Sequence, residues 1–146
     1  MSKALVVYAT RSGATRNIAD LISQGLRRAG CDTEVINASE IKKEEDLAGY
    51  DAYVFGSATY HGEMMQSMKT LLFLDAKMNL ESLPGGAFGA FGWSGEAPGR
   101  IYETMANIFK MDMIGAPLRV KNAFVEGAST TAEDYGRELA SKMGGN

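Results

Sequence analysis

Apolar and polar positions follow two alternating rhythms along this chain. Residues 4–8 (ALVVY) are apolar throughout, the pattern of a strand buried on both faces of a sheet. Across 14–29 the period changes. Ala14, Ile18, Leu21, Ile22, Gly25 and Ala29 recur at helical spacing, and Gly30 predicts the stop. Residues 33–37 predict a second strand and 51–56 (DAYVFG) a third. The loop 57–62 leads into a methionine- and leucine-rich helix over 63–79. Small residues alternate with phenylalanine over 86–92 (GAFGAFG), which predicts a fourth strand. A helix over 96–113 follows, with Ile101, Met105, Ile108 and Phe109 on one face. Pro98 falls in its first turn, where a missing N–H is tolerated. The fifth strand, 117–126 (PLRVKNAFVE), is expected to be interrupted at Lys121-Asn122. Thr130-Thr131-Ala132-Glu133 has the spacing of a capping box and opens a last helix ending at residue 143.

Strand–helix alternation repeated five times predicts an α/β fold: a parallel sheet, helices on both faces and right-handed crossovers. With no repeat, linker or low-complexity segment, the 146 residues are expected to form a single domain, 1–146.

Composition works mainly by exclusion. Lys and Arg total 15 against 18 for Asp and Glu, a net charge of -3, whereas nucleic-acid binders concentrate basic residues in a patch. The pairs Arg27-Arg28 and Lys42-Lys43 read as solvated faces. The single cysteine, Cys31, permits no internal disulfide and no C-x-x-C site. About six apolar residues precede Arg11, too few for a signal-peptide core or a membrane span, so a cytoplasmic protein is expected.

In an open parallel sheet, ligands bind beyond the carboxyl ends of the strands. The loops after strands one, three and four are therefore the places to look: 10–15 (TRSGAT), 57–62 (SATYHG) and 93–99 (WSGEAPG). The first carries three hydroxyls (Thr10, Ser12, Thr15), Gly13 and no lysine, just where N–H groups at a helix start attract an anion. Neither the Walker pattern G-x-x-x-x-G-K-S/T nor the dinucleotide fingerprint G-x-G-x-x-G is present. A terminal phosphate monoester suits what remains; taken alone, so does an ordinary capped turn. In the second loop, Tyr60 either covers a flat ligand or lies on the surface. His61, the only histidine, has no metal partner and no Ser-His-Asp set around it, and reads as a neighbour of the ligand. In the third, the only tryptophan, Trp93, sits between Gly92 and Gly95 and is better explained by stacking than by core filling.

Together these loops resemble the flavodoxin family. Thr10-Arg-Ser-Gly-Ala-Thr15 resembles the family's phosphate loop, S/T-x-S/T-G-x-T, which holds the 5′-phosphate of FMN without a basic side chain. Residues 56–65 (GSATYHGEMM) and 88–97 (FGAFGWSGEA) resemble the FMN domains of flavodiiron proteins. The resemblance covers the whole chain. It implies a flavodoxin-like three-layer sandwich around a five-stranded parallel sheet of order 2-1-3-4-5, in the short-chain group because strand five carries no long insertion. By the same resemblance Thr10, Arg11, Ser12, Gly13, Ala14 and Thr15 bind the phosphate of FMN. Ala58, Thr59, Tyr60, His61 and Gly62 run along one side of the isoalloxazine, and Trp93, Ser94 and Gly95 along the other. No catalytic or metal-ligating residue is implied.

The implied function is a one-electron, low-potential carrier whose flavin moves between quinone, semiquinone and hydroquinone. Its implied partners are redox proteins, a reductase-type donor and a metalloprotein or other acceptor, with no nucleic acid or membrane involved and a monomer or weak dimer in solution. The alternative is an FMN-dependent NAD(P)H:quinone-type reductase. Two features depart from the family pattern: the chain is only mildly acidic, and Arg11 lies in a loop that is usually uncharged. Both, with His61, imply potentials less negative than in a strongly acidic relative. A signalling receiver would need an aspartate where strand three ends in Phe55-Gly56-Ser57, and a low-molecular-weight phosphatase would need C-x-x-x-x-x-R after strand one.

Overall fold

The computed structural model describes residues 2–10, 13–60, 62–90, 95–122 and 126–143. Strand β1 (Lys3–Ala9) leads into α1 (Ala14–Arg28), β2 (Asp32–Asn37) and β3 (Ala52–Ser57). A short hairpin of β4 (Thr59–Tyr60) and β5 (Glu63–Met64) precedes α2 (Gln66–Asp75), β6 (Pro84–Ala90) and α3 (Glu96–Glu103). Two short strands, β7 (Asp112–Met113) and β8 (Leu118–Val120), and α4 (Ala128–Lys142) complete the order. The main sheet is parallel and runs β2-β1-β3-β6. The place beyond β6 is shared: β7 pairs with Pro84 and Gly85, β8 with Phe88 to Ala90. Counted as one interrupted strand, β7 and β8 give the expected order 2-1-3-4-5.

Alternation along the strands divides the interior into two layers. Ala4, Val6, Tyr8, Val54 and Phe88 pack with α1 and α4, while Leu5, Val7, Tyr53 and Phe55 pack with α2 and α3. Helices α1 and α4 cross with their backbones touching. A Cβ on Gly25 would lie 2.1 Å from the Glu133 carbonyl oxygen, and one on Gly136 2.2 Å from that of Ile22. Gly25 is thus more than a small residue on an apolar face; it is where α4 sits.

Several boundaries differ from those the periodicity predicts. The helix expected over 63–79 begins only at Gln66, because Glu63 and Met64 pair with Thr59 and Tyr60 around Gly62 (φ 76°). The helix expected over 96–113 stays α-helical only to Glu103, widens into a π-helical segment (Thr104–Ile108), and stops at Lys110 in the left-handed region (φ 58°). Strand β7 then occupies residues assigned to that helix. A break in strand five therefore falls between Met113 and Leu118; β8 also ends at Val120, just before Lys121-Asn122, and residues 123–125 lie outside the described residues. The capping box at Thr130 does not form. Gly127, left-handed at φ 82°, caps α4 three residues earlier, and Glu133 instead pairs with Arg28 of α1 and with Arg137. Arg28, expected on a solvated face, thus also ties α1 to α4.

Candidate functional site

The parallel register brings the three candidate loops to one edge of the sheet. Ala9 stands opposite Ser57, and Gly56 opposite Phe88, so β1, β3 and β6 end side by side. The Ala58 N–H donates to the Ala9 carbonyl at 2.9 Å, which joins the first two loops where they leave the sheet.

In the first loop, Gly13 adopts φ 91°, a left-handed conformation that an L side chain resists. Its N–H donates to Thr10 Oγ1 at 2.9 Å, so the threonine hydroxyl closes the turn. Gly13 occupies the N-cap of α1, offers no side chain to the first-turn N–H groups, and no acidic residue follows in that turn. The helix start keeps its partial positive charge uncompensated there. Thr15, the second residue of α1, is fully buried, and its Oγ1 has no hydrogen-bond partner among the described residues. A buried hydroxyl without a partner is costly unless something else supplies one. Arg11 and Ser12 lie outside the described residues.

The second loop is a tight hairpin rather than an irregular connection. Ser57, also buried, donates its hydroxyl to the Ala58 carbonyl and accepts from the Met65 N–H at 2.9 Å, fixing both ends of the hairpin. Gly62 supplies the positive φ at its tip, and Ala58, Thr59 and Gly62 are half-buried. Thr59 Oγ1 accepts from the Ala97 N–H at 3.0 Å, linking this loop to the first turn of α3. Glu63 lies between Lys69 and Arg100, at 3.9 and 3.7 Å. The backbone of Tyr60 pairs with Glu63; its side chain and all of His61 lie outside the described residues.

Of the third loop, Trp93 and Ser94 lie outside the described residues, and Gly95 is held from the edge strand. Arg119 Nε donates to the Gly95 carbonyl oxygen at 2.8 Å. Ser57, Thr59 in its bond to Ala97, and Arg119 are the positions whose parts the motifs did not disclose. Only the apolar–charged–apolar run Leu118-Arg119-Val120 hinted that Arg119 faces away from the α1–α4 core. The methionines after the second loop pack as expected: Met64 and Met68 are buried and Met65 lies against them.

Two other features lie away from these loops. Phe73 and Ile108, 75% and 67% exposed, line an apolar groove of about 360 Å³ between α2 and the π-helical segment. Asp75, at the C-terminus of α2, is fully buried with neither carboxylate oxygen partnered among the described residues. Desolvation pushes its carboxyl up to about 8. Asp75 closes α2, the crossover that returns from the end of β3 to the start of β6, and so lies at the end of the sheet opposite the three loops. No cluster of metal-ligating side chains occurs among the described residues, and no described helix is long and apolar enough to cross a membrane.

Comparison with known proteins agrees with this arrangement. A family model described as a flavodoxin domain matches residues 5–107. The rubredoxin-oxygen oxidoreductase of Megalodesulfovibrio gigas is 28% identical over 97% of this chain, which spans 37% of that protein's length. A flavodoxin of Clostridium beijerinckii is 25% identical and is covered over 97% of its own length, against 92% of this chain. A solved flavodoxin from the domain Archaea superposes with a TM-score of 0.90 at 30% identity, covering 97% of this chain and 99% of that one. With its strand order, its glycine-opened helix start and three loops gathered at one sheet edge, the chain belongs to the flavodoxin domain family.

Proposed function

We propose that this chain binds FMN and carries electrons singly between redox proteins. The observation that supports this best is the buried, unpartnered hydroxyl of Thr15 at the start of α1. A phosphate seated there supplies the acceptor that Thr15 lacks, and meets the first-turn N–H groups left uncapped by Gly13. The family to which the chain belongs is one of flavodoxin domains, and the residues at its strand ends fit the group. When bound, FMN supplies the electron-accepting isoalloxazine.

The chain's own residues hold and surround it. Thr10 closes the turn that presents the backbone, Gly13 lets that backbone approach, and Thr15 with Ala14, Arg11 and Ser12 completes the phosphate grip. Ala58 to Gly62 border one side of the ring, in a hairpin kept in place by Ser57. Trp93, Ser94 and Gly95 border the other. Tyr60 and Trp93, which the family resemblance assigns to the two sides of the ring, would exclude water and disfavour added negative charge on it, lowering the second reduction potential.

Acting as a carrier, the chain takes electrons from a reductase-type donor and gives them to a metalloprotein or another acceptor. The relevant experiment is a spectroelectrochemical titration of FMN-loaded protein, with NAD(P)H oxidation followed alongside. A carrier shows two resolved one-electron steps and does not oxidise NAD(P)H without a partner reductase. A single two-electron step with rapid NAD(P)H oxidation by the protein alone contradicts this reading.

A further inference from the structure

Arg119 occupies the centre of β8, between Leu118 and Val120, which are buried on the α1–α4 face. Strand alternation turns its side chain to the other face, where α3 begins. There the Nε–H donates to the Gly95 carbonyl oxygen at 2.8 Å. Gly99 provides the clearance: a Cβ at that position would lie 2.7 Å from Arg119 Nη2. The sequence Gly95-Glu-Ala-Pro-Gly99 thus supplies both the acceptor and the space for one guanidinium.

A second tie reaches the same turn from the opposite side, where Thr59 Oγ1 accepts from the Ala97 N–H. Pro98 completes the seat. A Cβ on Gly89 would come within 2.7 Å of Pro98 Cγ, so α3 begins directly on β6. The end of the third loop is therefore clamped between the second loop and the edge strand, and Arg119 is the clamp's outer jaw. An arginine suits this task, because its planar fork holds one orientation and its charge strengthens the bond to a carbonyl.

We propose that Arg119 is a positioning residue for the flavin: by fixing Gly95 it sets where Trp93 and Ser94, immediately before it, meet the ring. This rests on the FMN reading above. It assigns a part in flavin binding to a residue outside the three loops, more than twenty positions along the chain from Trp93.

The single tryptophan makes the test direct, since all tryptophan fluorescence comes from the loop that Arg119 anchors. Arg119→Met and Arg119→Lys would be compared with the parent chain in three measurements. These are acrylamide quenching of Trp93 in the apo-protein, the dissociation constant for FMN, and the two reduction potentials. Arg119→Met is expected to raise quenching, weaken FMN binding about tenfold and shift at least one potential, at an unchanged thermal midpoint of the apo-protein. Arg119→Lys keeps the charge without the fork and shows a smaller loss in the same direction. Should Arg119→Met lose its fold, the lysine variant carries the same test. A parent chain that binds FMN, with variants indistinguishable from it in quenching, affinity and potential, overturns the role of Arg119. A parent chain that binds no FMN overturns the flavin reading itself, and the quenching comparison in the apo-protein still reports whether Arg119 anchors the loop.

Discussion

Thr15 and Asp75 are both fully buried polar side chains with oxygens left unpartnered among the described residues, and they lie at opposite edges of one sheet. Thr15 stands at a helix N-terminus, beside loops with a left-handed glycine and no acidic side chain in the first turn. Its missing partner is one that a ligand can supply. Asp75 stands near a helix C-terminus, where the partial negative charge of the helix end adds to the penalty of burial. Its carboxyl is pushed up to about 8 by desolvation and stays protonated at neutral pH. An orphaned buried group therefore marks a binding site only when its surroundings favour the charge of the absent partner. Similar burial at Asp75 brings only a cost in stability.

The comparison depends on α1 being held rigidly, so the largest expected effect comes from its seat on α4. Gly25→Ala puts a Cβ 2.1 Å from the Glu133 carbonyl oxygen, and the two helices must separate. We expect a loss of about 3 kcal/mol or more in chemical denaturation, together with weakened FMN binding. Unchanged stability would mean that α1 moves freely, and the open hydroxyl of Thr15 would then have no structural basis.

Next in size is the pH dependence set by Asp75. Its folded-state pKa, about 8, lies above the ordinary carboxylate value of 3.8, so the unfolded chain gives up this proton first as pH rises. Stability from this group is complete below about pH 4 and is lost progressively from there towards pH 8, levelling off above. Asp75→Asn removes the titration and is expected to stabilise the protein at pH 8 by about 1–3 kcal/mol, with little effect at pH 4. Parallel denaturation series for the two proteins from pH 4 to 8 provide the check; identical pH profiles would show that Asp75 is solvated. FMN affinity should not change in this variant, which separates the two edges of the sheet.

The smallest stability effect is expected at Thr15 itself. Thr15→Val keeps the shape and removes only the unpartnered hydroxyl, so the apo-protein should hold its stability or gain about 1 kcal/mol. A clear loss in thermal midpoint would reveal a partner within the chain and end the contrast with Asp75.

Much of this molecule is legible in the sequence because burial on both strand faces and the 3.6-residue period are strong local signals. Residues 4–8 and 14–29 fall almost on β1 and α1, and the three loops are placed by strand order alone. The boundaries that differ are those decided by single backbone conformations or distant contacts. Lys110 in the left-handed region ends a helix whose apolar period continues to Met113. The hairpin around Gly62 takes two residues that the helical pattern claims for α2. Glu133 has the spacing of a capping box, yet it is drawn to Arg28, which no local pattern can announce. At the site, hydroxyl-rich loops are readable, but the bond of Thr59 to Ala97 and that of Arg119 to Gly95 join residues 38 and 24 positions apart.

The most direct test of the central claim, that the start of α1 grips a phosphate, is a calorimetric titration of the apo-protein with FMN and with riboflavin, repeated for Thr15→Val. The two ligands differ only in the phosphate. The parent chain should bind FMN at least about tenfold more tightly than riboflavin, and Thr15→Val should lose most of that preference while binding riboflavin as the parent does. Equal affinity of the parent chain for FMN and riboflavin, or a preference untouched by Thr15→Val, would contradict the account.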